Sequence, residues 1–273
     1  MDNFHIAIPT SFNIDETLNC EFTVQHAMNL YNKGVRSVLI CGSTGEQHSL
    51  NINEKILLLN YIENYPIPND FHIIFGVSGI TKDVVKTLTK EVAENTKIST
   101  LLVGFPPYII PSQADAILYC KKINDYAGDK PLIIYNNPKR TGFDLQFDSY
   151  LKLFQYENVI GIKEAGQMEH IKKLIKCVER DILVFYGGDY DIELAVNKGY
   201  NALSSIAGNI YPNEVYNLFN QLLKKHIPDK SIQDKIKYLY SKPLLPHIKQ
   251  LITEKDNLPF GKCRWPLGVV YHS

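Results

Sequence analysis

No excess of one charge marks this chain: 29 lysines and arginines face 29 aspartates and glutamates, and the formal net charge is zero. A nucleic-acid-binding surface draws affinity from neutralised phosphates and shows as a basic surplus. Nucleic acid is therefore not an expected partner. No apolar run reaches the roughly 18–20 residues that cross a bilayer, so no membrane association is expected. The opening stretch, residues 1–12, has an early acid and lacks a basic start with a long apolar core, so no secretory leader is read there. The five cysteines are odd in number and scattered, without Cys-x-x-Cys spacing; the eight histidines form neither His-x-His nor His-Glu-x-x-His. Neither a disulfide framework nor a metal site is expected, and free thiols suit a cytoplasmic protein. Gly-x-Gly-x-x-Gly and the Walker spacing are both missing, as are flexible linkers, low-complexity tracts and solenoid-length repeats.

What is present is the composition of a folded globule, 45% hydrophobic and 21% charged. Eight short runs rich in Val, Ile, Leu, Phe or Tyr punctuate the chain: His5–Ile8, Ser37–Ile40, His72–Phe75, Thr100–Val103, Leu132–Tyr135, Val159–Ile162, Leu183–Tyr186 and Ala202–Ile206. They are mostly apolar instead of alternating, the pattern of parallel strands buried on both faces. Between them, helical spacing recurs over Asn53–Tyr65, Thr81–Asn95, Gln113–Tyr126, Phe147–Gln155, Met168–Val178 and Asp191–Lys198, with Asn51 or Asn53 as an N-cap. Repeated βα units over a 273-residue chain predict a (β/α)8 TIM barrel, for which about 250 residues is typical. An open doubly wound sheet is the competing architecture. It predicts fewer strands and a glycine fingerprint after the first, where the chain reads Pro9-Thr10-Ser11. Further helical stretches, Asn213–Lys225, Ser231–Tyr240 and Leu244–Thr253, follow the last strand. The expected organisation is a barrel over residues 1–210 and a C-terminal helical extension over 211–273, packed on it.

In such a barrel the residues just past the C-terminal strand ends face the active-site mouth. Here they include Gly42-Ser43-Thr44-Gly45-Glu46, Tyr108, Tyr135 through Gly142, Lys163-Glu164 and Gly188-Asp189. Lys163 ends the apolar run Val159-Ile160-Gly161-Ile162. A partly desolvated ammonium there loses protons more easily and becomes a nucleophilic amine. The other reading is a lysine that snorkels or pairs with a strand-end carboxylate, and the residues alone leave both open. The Gly42–Gly45 turn allows close backbone approach to an anion, although an ordinary polar loop reads the same way. Tyr135 and Arg140, taken singly, are an unremarkable strand-end tyrosine and a loop charge.

Together these positions resemble the dihydrodipicolinate synthase and N-acetylneuraminate lyase superfamily of pyruvate-dependent class I aldolases. The match rests on Gly42-Ser43-Thr44-Gly45-Glu46, Tyr135-Asn136-x-Pro138 and Gly161-Ile162-Lys163-Glu164-Ala165, with weaker support from Gly188-Asp189, Asn209 before Pro212, and Arg264-Trp265-Pro266-Leu267. The resemblance implies that Lys163 forms a covalent imine with pyruvate, so that no cofactor is needed, while Tyr135 carries protons and Ser43 relays them. It implies that Thr44 and its neighbours Gly42 and Gly45 hold the pyruvate carboxylate, with Gly188 and Leu203 completing the substrate-binding set. Tyr108 matches a second relay tyrosine that in relatives reaches across from a neighbouring subunit, which implies a homo-oligomer, a dimer or a tetramer. The alternative for Tyr108 is packing at an interface.

The aldehyde partner is less determined. Arg140, within Asn137-Pro138-Lys139-Arg140-Thr141-Gly142, resembles the synthase branch, where an arginine meets the carboxylate of aspartate semialdehyde. Tyr190 stands where the lyases carry a sugar-binding glutamate. Against the synthase stand the Gly-Ser-Thr-Gly spelling and the apolar Ile109 and Ile110 after Tyr108. The expected function is 4-hydroxy-tetrahydrodipicolinate synthase-like condensation. The alternatives are an N-acetylneuraminate lyase or 2-keto-3-deoxy sugar-acid aldolase, or an inactive pyruvate-binding relative. Positions matching the lysine-inhibition pocket of regulated synthases fall at His48, Ile80, Val84 and Pro107, which offer no carboxylate to an ammonium.

Overall fold

The computed structural model describes residues 2–166, 168–227 and 231–267. All eight apolar runs form strands. They are β1 (Phe4–Ala7), β4 (Ser37–Ile40), β5 (His72–Val77), β6 (Ile98–Gly104), β7 (Leu132–Asn136), β8 (Val159–Glu164), β9 (Leu183–Tyr186) and β10 (Ala202–Ser205), and between the first two lies an antiparallel ribbon of β2 (Ser11–Phe12) and β3 (Leu18–Asn19). The eight long strands pair in parallel and close into a barrel, β1 bonding β4 on one side and β10 on the other. An open sheet is thereby excluded.

Helices follow the strands: α1 (Cys20–Asn32), α2 (Ile52–Asn64), α3 (Lys82–Glu94), α4 (Gln113–Ala127), α5 (Pro138–Thr141), α6 (Phe147–Leu153), α7 (Ile171–Cys177), α8 (Ile192–Lys198), α9 (Pro212–Leu223), α10 (Ser231–Tyr240) and α11 (Leu244–Asp256). Their starts are chemically written. Asn51 caps α2 in a reciprocal box with Glu54, and Ser112 does the same with Asp115 on α4. Helix α1 and the ribbon are additions to the sequence reading. Cys20, Val24, Ala27 and Leu30 make the buried apolar seam of α1, and Asn19, whose side chain accepts from Phe22 N, is its local start signal.

Alternation along each strand makes two cores. Ala7, Leu39, Ile74, Leu102, Ile133 and Phe185 fill the barrel, while their neighbours face the helices. Helix α9 lies against α8 and so continues the ring of helices past residue 210. Helix α11 reaches back to α1, where Asp256 pairs with Lys33 at 2.6 Å and lies 3.6 Å from His26 Nδ1. Within the 211–273 stretch, residues 228–230 and 268–273 lie outside the described residues. Among the described residues no helix is long and apolar enough to cross a membrane, and no His, Cys, Asp and Glu cluster is arranged to hold a metal.

Candidate active site

Strand β8 delivers Lys163 to the C-terminal mouth. Two residues earlier, Gly161 permits the close approach of β9: a Cβ there would lie 2.3 Å from the Leu183 carbonyl oxygen. In register with Lys163 on β7 stands Tyr135, and the lysine Nζ lies 4.8 Å from the centre of its ring. Lys163 is 7% exposed. Burial lowers its pKa first, and Arg140 adds to this, while Tyr135 and Asp189 oppose. The result is an amine that sheds its proton more readily than a surface lysine.

The tyrosine is tuned in the opposite sense. Burial pushes its phenol up, but Lys163, the Asn137 amide, Arg140 and the Ser43 hydroxyl together bring it below the ordinary value. Asn137 Nδ2 donates to Tyr135 Oη at 2.7 Å. An amine with lowered basicity thus faces a phenol with raised acidity, the pairing that moves protons between carbonyl and imine chemistry.

Above them opens a cavity of about 360 Å³ whose wall includes Gly42, Ser43, His48, Tyr135, Asn137 and Arg140. Lys163 does not reach this wall; it lies against the Tyr135 ring, which does. No Asp or Glu contributes to the wall among the described residues. Arg140 is exposed and forms no ion pair among the described residues, and Asp144 accepts from Asn136 Nδ2 at 2.8 Å. Helix α5, a single turn ended by left-handed Gly142, holds Arg140 over the opening. A cavity with a guanidinium and no carboxylate favours anions.

The remaining expected site residues fare differently. The Leu203 side chain is fully buried in the core between strands and helices, and Ala202 takes the inward-facing position on β10. Gly188 is also displaced from the cavity wall, facing the Tyr186 ring, and Gly187 is the glycine that leaves room for Lys163. Thr44 and Gly45 are absent from the wall as well; Gly45 packs on the Cys41 backbone and its carbonyl accepts from Thr10 Oγ1 at 2.6 Å. Tyr108 is 92% exposed with φ +71°, and within one chain it does not meet Tyr135 or Ser43.

Sequence reasoning also missed what lies on the far side of β8. Glu164 is buried, and Tyr150 Oη, Asn136 Nδ2 and Gly166 N all donate to its carboxyl. Burial raises its pKa to about 7, against the pull of those donors. Asn136 Oδ1 in turn accepts from Leu145 N, so one network ties the end of β8 to the Arg140 loop. The quoted Tyr135-Asn136 pair was the available signal, but its partners are set by the fold.

The sequence model of the dihydrodipicolinate synthetase family matches residues 1–272. The chain is similar to 4-hydroxy-tetrahydrodipicolinate synthase of Ligilactobacillus salivarius, 29% identical over 272 residues, covering 97% of this chain and 93% of the relative. It is also similar to the same-named protein of Methanosarcina mazei, at 27% identity over 96% of this chain and 87% of the other. Two solved structures share the fold. The dihydrodipicolinate synthase of Cyanidioschyzon merolae, solved with lysine bound, superposes with a TM-score of 0.88 at 20% identity, over 98% of this chain and 93% of that one. The sialic acid aldolase of Ruminococcus gnavus gives 0.87 at 18%, over 98% and 91%.

Proposed function

From the premise that this chain belongs to the dihydrodipicolinate synthetase family, we propose that it is a lyase joining pyruvate to an aldehyde through an imine on Lys163. The observation that carries the reading is the Lys163 amine against the Tyr135 ring, beneath a cavity with Arg140 and no carboxylate.

The unprotonated Nζ adds to the keto carbon of pyruvate. The carbinolamine then loses water, its oxygen leaving with a proton supplied through Tyr135 Oη. Loss of a methyl proton from the imine gives an enamine, whose carbon attacks the aldehyde; the new alkoxide takes a proton back through the same phenol. Hydrolysis or cyclisation releases Lys163. Ser43, which shares the cavity wall with Tyr135, relays these protons. Backbone N–H groups of Ser43 and Thr44 take the pyruvate carboxylate, and Arg140 grips a carboxylate on the aldehyde, which points to aspartate semialdehyde as in the 4-hydroxy-tetrahydrodipicolinate synthases. The active unit is a dimer or tetramer in which a neighbouring copy covers Tyr108, and the cytoplasm is its place. Residues 1–210 serve as the catalytic barrel and 211–273 as its extension. The reading requires no cofactor.

Borohydride reduction in the presence of pyruvate should add one pyruvate-derived group to Lys163, located by peptide mapping, and Lys163→Ala should abolish it. A label elsewhere sinks the mechanism. Pyruvate consumed with aspartate semialdehyde, but not with N-acetylmannosamine or glyceraldehyde, supports the synthase reading; the reverse moves the protein to the sugar-acid aldolases.

A further inference from the structure

The site described so far ends at Gly45, yet the next residue carries a charge with no catalytic use. Glu46 is fully buried, and so is its partner Lys249 on α11, 203 positions later; Nζ and Oε1 lie 2.6 Å apart. The other Glu46 oxygen accepts from Arg264 N at 2.9 Å, while Lys249 Nζ also donates to the Lys262 carbonyl at 3.0 Å and lies 4.4 Å from the centre of the Phe12 ring. Arg264 extends the cluster to Glu54.

Burying an ion pair loses the hydration of both charges, and its attraction commonly does no more than offset that loss, so stability alone does not account for it. What the pair does supply is position. Glu46 has φ +51°, and Cys41, at the other end of the turn, has φ +57°. Left-handed backbone is disfavoured for both side chains and persists only where surroundings enforce it. Between these points run Gly42, Ser43, Thr44 and Gly45, with Glu46 N donating to Ser43 O and Gln47 N to Gly42 O, both at 3.3 Å. Those two internal bonds are long, and the turn is anchored from outside by Thr10 at Gly45, by Ser49 at the Glu46 carbonyl and, at the Glu46 side chain, by Lys249 with Arg264 N.

We infer that Lys249 is a positioning residue for pyruvate, the C-terminal extension fixing the carboxylate-binding turn through the buried Lys249–Glu46 pair. This rests on the pyruvate-imine reading above. Lys249 touches no substrate; it acts through Glu46.

The test measures the pyruvate concentration that half-saturates borohydride trapping, alongside thermal melting. Wild-type trapping is the control, since its failure overturns the imine reading and leaves the positioning question unasked. With trapping established, Lys249→Met should raise the half-saturating pyruvate at least tenfold, while saturating pyruvate still labels Lys163 fully. The double variant Glu46→Gln with Lys249→Met removes both buried charges and should regain melting temperature without regaining pyruvate affinity. Lys249→Arg, which keeps the charge and folds where Met does not, should show a smaller rise. Wild-type half-saturation in the folded Met variant or the folded double variant overturns the inference, as does an Arg variant that weakens pyruvate binding as much as Met; melting and affinity recovering together in the double variant does so too.

Discussion

Tyr135 stands under opposing influences, burial disfavouring its anion and the Lys163 ammonium, Asn137 and Arg140 favouring it. Tyr135→Phe keeps the ring that packs on Lys163 and deletes only the proton carrier. Slow imine formation should survive, while turnover falls about 10²–10⁴-fold, the usual scale of general acid–base assistance. The proposed mechanism gives Arg140 two parts that one substitution separates. Its charge lowers the Lys163 pKa, so in Arg140→Ala the pH profile of pyruvate trapping should move toward alkaline pH, with full trapping reached above it. Condensation should meanwhile fall through loss of a charge-assisted contact, about 1.5–3 kcal/mol or roughly 10- to 150-fold. Arg140→Lys should recover part of this, since an ammonium cannot present two parallel donors. Equal damage to trapping and condensation at every pH would show Arg140 to be structural.

Strand β8 bears a titrating group on each face, Lys163 inward and Glu164 toward the helices. A carboxyl whose folded value is about 7 binds its proton more tightly folded than unfolded. Its contribution to stability is therefore full below the unfolded value of roughly 4.3 and is lost as pH rises toward about 7. Melting temperature compared between wild type and Glu164→Gln should show the variant losing less over that interval; parallel curves would place Glu164 at an ordinary pKa. Asp256 does not interfere, because its carboxyl is held near 2 by His26 and Lys33 and its contribution disappears only under strong acid. Elements of this kind mark the limit of what a sequence shows. Eight mostly apolar runs announced eight strands to within two residues at either end, because burial on both faces leaves few other readings. Helix α1 escaped notice because the polar Thr23 and His26 interrupt its buried face. The placement of Lys163 and Tyr135 near the mouth was legible from strand ends, whereas the roles of Tyr135, Ser43 and Arg140 came only from the family resemblance. Where Leu203 and Gly188 point was not legible, because direction at a strand end depends on one residue of register. The Glu164–Tyr150 and Glu46–Lys249 contacts join distant segments, and nothing local signals them.

For the whole molecule, regulation follows from what the walls contain. The cavity reaches His48 and Pro107, Val84 is half-buried, and Ile80 is 55% exposed. None of these four side chains is a carboxylate, three are apolar, and desolvating an ammonium without an opposing charge is costly. Millimolar free lysine should leave the rate unchanged; a saturable inhibition curve would locate a binding site elsewhere on the protein. The closure of the barrel has a different consequence, for synthesis. Strand β1 holds residues 4–7, yet one of its two neighbours, β10, starts at Ala202. At about 5–20 residues per second, a ribosome needs roughly 10–40 s to supply that partner. Throughout this interval the nascent chain exposes open strand edges that the finished fold conceals, so the newborn protein is a natural client for chaperones although the mature barrel presents no such edge.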